Sequence, residues 1–306
     1  MNAAFSQRVF AVACLLAGMA VVGSYVALSK PLVAVIPVFI LAGLRFTIGG
    51  VVMLPWLKRN EARGDSAKPL PADARFALFL QSLLGNFLFS ILMLYGVAYS
   101  SATTAGIVMA GIPAAVALLS RVVLGEQLSK RMLLAIILSI AAVLTLQLGK
   151  SSLASPEIAS QHHWGVMMLL GAVLCEASYV VLAKRLSGSL SPQRNSALLN
   201  AWGWALMLPL ALWQWWHTGF SLSAITMAQW GLLAYYAVAA SVLSTVLWFT
   251  GLRHVPASQA GVYTIALPMT AALLGVTVLN EPFTQWHALA LGLALASVVC
   301  ASWNKK

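Results

Sequence analysis

Long apolar stretches fill this sequence, separated at short intervals by clusters of basic and turn-forming residues. A membrane-spanning helix needs about 20 apolar residues. Ten segments reach or approach that length, over 8–29, 32–57, 74–98, 102–124, 130–148, 163–186, 194–217, 227–250, 256–279 and 284–303. The pattern predicts an all-α polytopic membrane protein. The longest polar stretches, 58–75 and 150–163, are short enough to be loops, and the adjacent pair His162 and His163 falls in the second.

Composition narrows the class. The sequence is 61% hydrophobic and 8% charged over 306 residues, whereas soluble proteins carry about 25% charged residues. No Ser/Pro/Gly-rich linker separates a soluble domain. The net charge of +11 reads as topology rather than as nucleic-acid binding, because the basic residues fall on one side of the predicted bilayer. With the N-terminus inside, that side holds Arg8, Lys58, Arg59, Arg63, Lys68, Arg75, Arg121, Lys130, Arg131, Lys184, Arg185, Arg194, Arg253, Lys305 and Lys306. The other side has Lys30 and Lys150, and Arg45 lies within segment 2. By the positive-inside rule both termini are cytoplasmic.

The second half repeats the first. Gly96, Ala105, Gly106, Pro113, Leu118, Leu124 and Glu126 meet Gly251, Ala260, Gly261, Pro268, Leu273, Leu279 and Glu281 at an offset of 155. Gly23, Ser24, Tyr25 and Lys30 meet Ala177, Ser178, Tyr179 and Lys184 at 154. Segment 1 therefore has a counterpart in segment 6, and it is expected to be a retained helix rather than a signal peptide. The expected units are 1–150 and 151–306, with five helices each. Five is odd, so the two halves run in opposite directions through the membrane. Inverted repeats of this kind are a recurring plan of secondary transporters.

Short motifs add a resemblance over nearly the whole chain. Leu44-Arg45-Phe46 in segment 2, Pro113 with Leu124-Gly125-Glu126, and the echo in Pro268 with Leu279-Asn280-Glu281 resemble the EamA-type transporters of the drug/metabolite transporter superfamily. The resemblance implies a multi-pass carrier of the bacterial inner membrane, most often an exporter of amino acids or other small metabolites. It also implies a central cavity lined by helices 1, 3, 4, 6, 8 and 9. Many relatives have tryptophan near the middle of helix 6, where this chain has Glu176.

The polar groups within the predicted spans are the candidate chemistry. Glu176 is 12 residues from Trp164 and 9 from Arg185, so it lies more than ~13 Å from either end of its helix. A charge at such depth costs about 2.5–3.5 kcal/mol on insertion scales. It is expected to face the cavity, where it could bind an amine or carry a coupled proton. The bland alternative is a protonated carboxyl bonded to a neighbouring helix. Arg45, 12 residues from Val33 and from Leu57, could attract a substrate carboxylate, although a structural role is the favoured reading. Asn86 and Gln81 correspond to Ser241 and Tyr236 in the second half, and Asn86 is a candidate substrate contact. Tyr25, Tyr179, Tyr235, Trp248 and Tyr263 are deep aromatics that together suggest an amphipathic cavity, while Trp213, Trp215 and Trp216 read as an interfacial belt.

Other features read as architecture. Ala102, Gly106, Ala110 and Ala114 form a small-residue stripe suited to close helix packing. Pro113 and Pro268 are expected kinks. Glu126 and Glu281 are expected to anchor helix ends, and only secondarily to act at a gate. Cys14, Cys175 and Cys300 each lie in an apolar segment, and no spacing suggests a disulfide, a metal site or a cofactor.

A membrane enzyme is disfavoured, because the sequence has no His-Glu-x-x-His, no paired intramembrane carboxylates and no Gly-x-Ser-x-Gly. The absence of a soluble output domain disfavours a receptor. A secondary carrier remains. One mid-membrane cation is too few for a phosphate ester, so the expected substrate is an amino acid or another small amine-bearing metabolite. A lipophilic organic cation of the drug type is the alternative. The partners expected are substrate and lipid, with proton coupling and uniport both open, as are the monomer and the homodimer.

Overall fold

The computed structural model describes residues 3–58, 72–125, 129–151, 156–186, 192–252 and 261–302. All regular structure among them is helical. Segments 1 and 2 become α1 (Ala3–Val33) and α2 (Val38–Lys58). Segment 3 is α3 (Ala72–Ser82), a π-helical stretch (Leu83–Leu88) and α4 (Phe89–Tyr99). Segment 4 divides into α5 (Ala102–Met109) and α6 (Ile112–Leu124), and segment 5 is α7 (Lys130–Ser151). Segments 6 and 7 are α8 (Pro156–Leu186) and α9 (Pro192–Thr218). Segment 8 is α10 (Met227–Val238), a second π-helical stretch (Ala239–Leu243) and α11 (Ser244–Leu252). Segment 9 shows a 3₁₀ stretch (Gly261–Ile265) leading into α12 (Ala266–Thr277), and α13 (Gln285–Ser302) is the last described helix.

Seven of the described helical stretches are long and apolar enough to cross a membrane, and Tyr263–Thr277 and Gln285–Ala301 are shorter apolar helices. The protein is an all-α polytopic membrane protein. Side chains that a soluble protein would bury are exposed here, among them Leu133, Ile137, Ile140 and Leu144 along α7. Trp213, Trp215 and Trp216 are exposed at the end of α9, as an interfacial belt requires.

The reading of 150–163 as a loop is corrected. Lys150 belongs to α7, and α8 starts at Pro156, so both His162 and His163 are helical. Hydropathy marks where lipid ends, not where backbone hydrogen bonding ends. Proline at the first helical position has a preset φ and lacks only an N–H that would be unpaired anyway. Segment 4 is interrupted at Ala110 and Gly111, just ahead of Pro113. A proline cannot donate to the turn before it, so the break falls where the sequence predicts a kink. Pro268 stands near the start of α12, directly after the 3₁₀ stretch.

Packing follows from small residues. The helix α1 packs against α11 and α12, α8 against α4 and α6, α2 against α9, α5 against α12, and α7 against α13. A Cβ added at Gly106 would stand 2.5 Å from the Ala271 Cβ, so the small-residue stripe does bring α5 close to α12. The π-helical stretches are insertions of one residue's worth of backbone into a helix, a feature often found at functional sites. The second coincides with residues 84–88 of the first when shifted by 155.

Candidate functional site

The exposed residues Met167 and Leu174 mark the outward face of α8. At 3.6 residues per turn, Glu176 lies about 180° round the helix from the first and about 200° from the second. Its carboxyl is enclosed by protein, yet the residue retains accessible surface. No described residue offers the carboxyl a hydrogen bond or an ion pair.

Tyr25 links this acid to the cation. The Tyr25 ring packs edge-on against Tyr236, with centroids 5.9 Å apart. Its hydroxyl is within electrostatic range of Arg45, Glu176, Tyr236 and Tyr179. Tyr25, Arg45 and Tyr236 are 8%, 6% and 0% exposed. Tyr179 is one helical turn from Glu176, and Gly85 in the π-helical stretch leaves room for its ring, since a Cβ there would collide with the Tyr179 side chain. The Gln81 Nε2 donates a long bond of 3.5 Å to the Tyr179 carbonyl.

Arg45 has both a structural tie and spare capacity. Its Nη1 donates to Ser90 Oγ at 2.6 Å, and Ser90 donates to the Asn86 carbonyl at 2.5 Å. The guanidinium carbon lies 4.6 Å from the Phe46 ring centroid and 5.8 Å from that of Tyr236. The buried Arg45 Nε has no partner, and the buried Tyr236 hydroxyl has no acceptor for its proton among the described residues. Arginine can only donate. The two groups together form a pole rich in donors, and Tyr25 is within electrostatic range of both this pole and Glu176.

The equivalent position in the second half is fully committed. Asn200, the counterpart of Arg45, donates from Nδ2 to the Phe46 carbonyl at 3.0 Å and accepts from Ser241 Oγ at 3.3 Å. It ties α9 to α2 and to the second π-helical stretch. Tyr235 reaches α1 through Ser24, with the oxygens 2.5 Å apart. Because the Ser24 hydroxyl donates to the Val21 carbonyl at 2.8 Å, Tyr235 is the donor to Ser24. The structure therefore groups Tyr25, Arg45, Glu176 and Tyr179, with Tyr235 held through α1 and Asn86 held by its backbone to Ser90. Trp248 and Tyr263 stand apart, against Ala11 and Leu15 in a separate apolar cluster. Tyr236 was visible in the sequence only as the counterpart of Gln81, and Ser24 only as part of a repeated triplet. A phenol on α10 and an arginine on α2 become neighbours through tertiary packing alone.

At one end of the bundle Glu281 is the helix anchor that its position suggests. Its two carboxylate oxygens accept from the backbone N–H of Ala102 at 2.7 Å and of Thr103 at 2.9 Å. Glu126 lies outside the described residues. Among the described residues no cluster of three or more His, Cys, Asp or Glu is placed to hold a metal.

Comparison with known proteins assigns the chain to a family. The EamA-like transporter family model matches residues 9–147 and 163–303. The uncharacterised transporter YetK of Bacillus subtilis (strain 168) is 35% identical over 295 residues, which cover 95% of this chain and 86% of that protein. The uncharacterised inner membrane transporter YedA of Escherichia coli (strain K12) is 24% identical over 271 residues, covering 88% of this chain and 83% of that one. A solved crystal structure aligns with a TM-score of 0.61 at 17% identity, over 97% of this chain and 96% of the other, and so shares the fold. Two matches of the family model, one in each half, together with a relative similar over almost the full length, establish that the chain belongs to the EamA-like transporter family and is a membrane transporter.

Proposed function

We propose that this protein is a secondary carrier that exports amino acids or other small amine-bearing metabolites across the bacterial inner membrane by alternating access. The observation that carries the reading is Glu176, a half-buried mid-helix carboxyl opposite the exposed Met167 and Leu174, with no partner among the described residues. An acid left alone at membrane depth is costly, and a substrate ammonium supplies the missing charge. Tyr25 and Tyr179 border it and give the site an amphipathic wall. Asn86 lies in the first π-helical stretch beside Gly85 and Tyr235 next to Tyr236 on α10, while Trp248 and Tyr263 would have to contact substrate from a separate cluster.

Alternating access rests on the repeat. Exchanging the two halves converts the α4–α8 pair into α1–α11 and the α8–α6 pair into α1–α12, while α2–α9 and α7–α13 map onto themselves. A packing scheme with this exchange symmetry fits ten spans in two inverted units with both termini cytoplasmic, and lets the units trade conformations. Glu176 is also the candidate carrier of a coupled proton. The tyrosine faces beside it supply the second reading, a lipophilic organic cation held by cation–π contact.

Uptake of amino acids, amines and organic cations into proteoliposomes, with and without a pH gradient, tests these readings. Glu176→Gln is expected to lower uptake of amine substrates by about tenfold or more, as expected for a lost charge-assisted contact. Transport by Glu176→Gln at the wild-type rate and with the wild-type pH response would sink the assignment. Movement of organic cations but not amino acids would favour the second reading.

A further inference from the structure

Three elements converge on the turn between α4 and α5. Lys30, near the end of α1, donates from Nζ to the carbonyls of Val97 at 2.7 Å, Ala98 at 3.1 Å and Ser100 at 2.8 Å. These are carbonyls of the last turn of α4 and of the residue beyond it, the groups a helix C-terminus leaves unpaired. On the other side of the turn, Glu281 receives the Ala102 and Thr103 N–H groups, and the Thr103 hydroxyl at 2.8 Å. These are orphan donors at the start of α5, where the helix dipole favours an anion. The N-terminal part of α8 closes the third side, because a Cβ at Gly165 would lie 3.0 Å from both the Ser100 Cβ and the Ser100 nitrogen.

The local backbone aims Glu281 at its target. The end of α12 is closed by Leu279 N–H to Leu274 O at 3.0 Å and Glu281 N–H to Gly275 O at 2.9 Å. Between them Asn280 has a φ of 52°, a left-handed conformation that asparagine tolerates better than most residues. Gly275 lets Glu281 reach Thr103, since a Cβ there would stand 2.5 Å from the Thr103 hydroxyl and 2.7 Å from the Glu281 carboxylate.

We infer that Lys30 and Glu281 form a two-sided clasp on the Tyr99–Ser101 turn, and that the clasp is the gate of this end of the transport pathway. The inference rests on the alternating-access reading, under which this end faces outward. Lys30 and the turn belong to one repeat and Glu281 to the other, so the Glu281 side is a link between units that must move relative to each other. The donors and acceptors at the two helix ends are charge-assisted when the clasp is shut. They are left to water when it opens, so closed and open become two discrete states rather than a continuum.

Cysteine labelling tests the clasp without any substrate. In a background carrying Cys14→Ala, Cys175→Ala and Cys300→Ala, Val97→Cys places a reporter on a buried residue beneath the turn. Ala135→Cys places a control on a buried residue of α7. In purified protein, Lys30→Met or Glu281→Gln is expected to raise maleimide labelling at Val97→Cys by about tenfold and to leave Ala135→Cys unchanged. A rise at both positions, which would mean general loosening, or at neither, overturns the inference. A second arm joins Ser100→Cys in the turn to Gly165→Cys on α8, where the two Cβ positions are about 3.0 Å apart, near enough for a disulfide. Oxidation of this pair is expected to stop transport and reductant to restore it, whereas undiminished transport by the cross-linked protein overturns the gate. If labelling responds as expected but no compound in the uptake panel moves, the substrate reading fails and the clasp stands.

Discussion

At the scale of single residues, the site is decided by which polar groups are satisfied. Arg45 and Asn200 occupy equivalent positions, yet Asn200 is bonded on both sides of its amide while Arg45 keeps a buried Nε unpaired. The same contrast separates Ser90, bonded twice, from Tyr236 with its idle proton. Tyr236→Phe removes one donor and no ring, so it is expected to fold normally and to weaken binding of carboxylate-bearing amines more than that of their decarboxylated analogues, measured as competing uptake. Gly85→Ala acts on the same site from behind. The added Cβ meets Tyr179 near its own Cβ and Cγ, atoms that a rotamer change cannot move far. We expect intact membrane insertion but about tenfold slower uptake, since a shift of about 1 Å at a binding group can cost that much or more.

At the scale of elements, every long described helix falls on a segment that hydropathy located, but hydropathy missed every interruption. The π-helical stretches at Leu83–Leu88 and Ala239–Leu243 are as apolar as the α-helices that flank them, so nothing in their composition announces a change of hydrogen-bond register. The break before Pro113 was legible because proline has a steric rule attached to it. The contact of α5 with α12 was legible in part, from the small-residue stripe, though its partner was not. Gly106→Ala tests that contact. With Ala271 already 2.5 Å from the new methyl position, overpacking is expected to cost about 1–3 kcal/mol. The check is a lower midpoint in a thermal or denaturant melt of the detergent-solubilised protein. Asn280→Gly is expected to be tolerated there and Asn280→Val to be destabilising, because a β-branched side chain resists a φ of 52°.

For the whole molecule, the orientation proposed from the charges makes a direct prediction. A cysteine at Ser129, an exposed position between α6 and α7, is expected to react with an impermeant reagent only from the cytoplasmic side. One at Ser221, exposed after α9, is expected to react only from outside. The reverse pattern would turn the exporter reading and the placement of the Lys30–Glu281 clasp upside down together, while leaving the binding residues where they are.

The amino-acid order by itself determined that this chain is a helical membrane protein of two related halves, because lipid imposes its length and hydropathy on every span and duplication leaves a fixed offset. It also singled out Glu176 and Arg45, since a charge at membrane depth is conspicuous in any sequence. What only the tertiary structure decided is which of those charges has work left to do. A hydrogen bond depends on an approach within about 3.5 Å, and residues far apart in the chain, such as Arg45 and Tyr236 or Lys30 and Val97, gain or lack such partners only when the helices pack. Side-chain satisfaction is a property of that packing, and the sequence carries it in no local pattern.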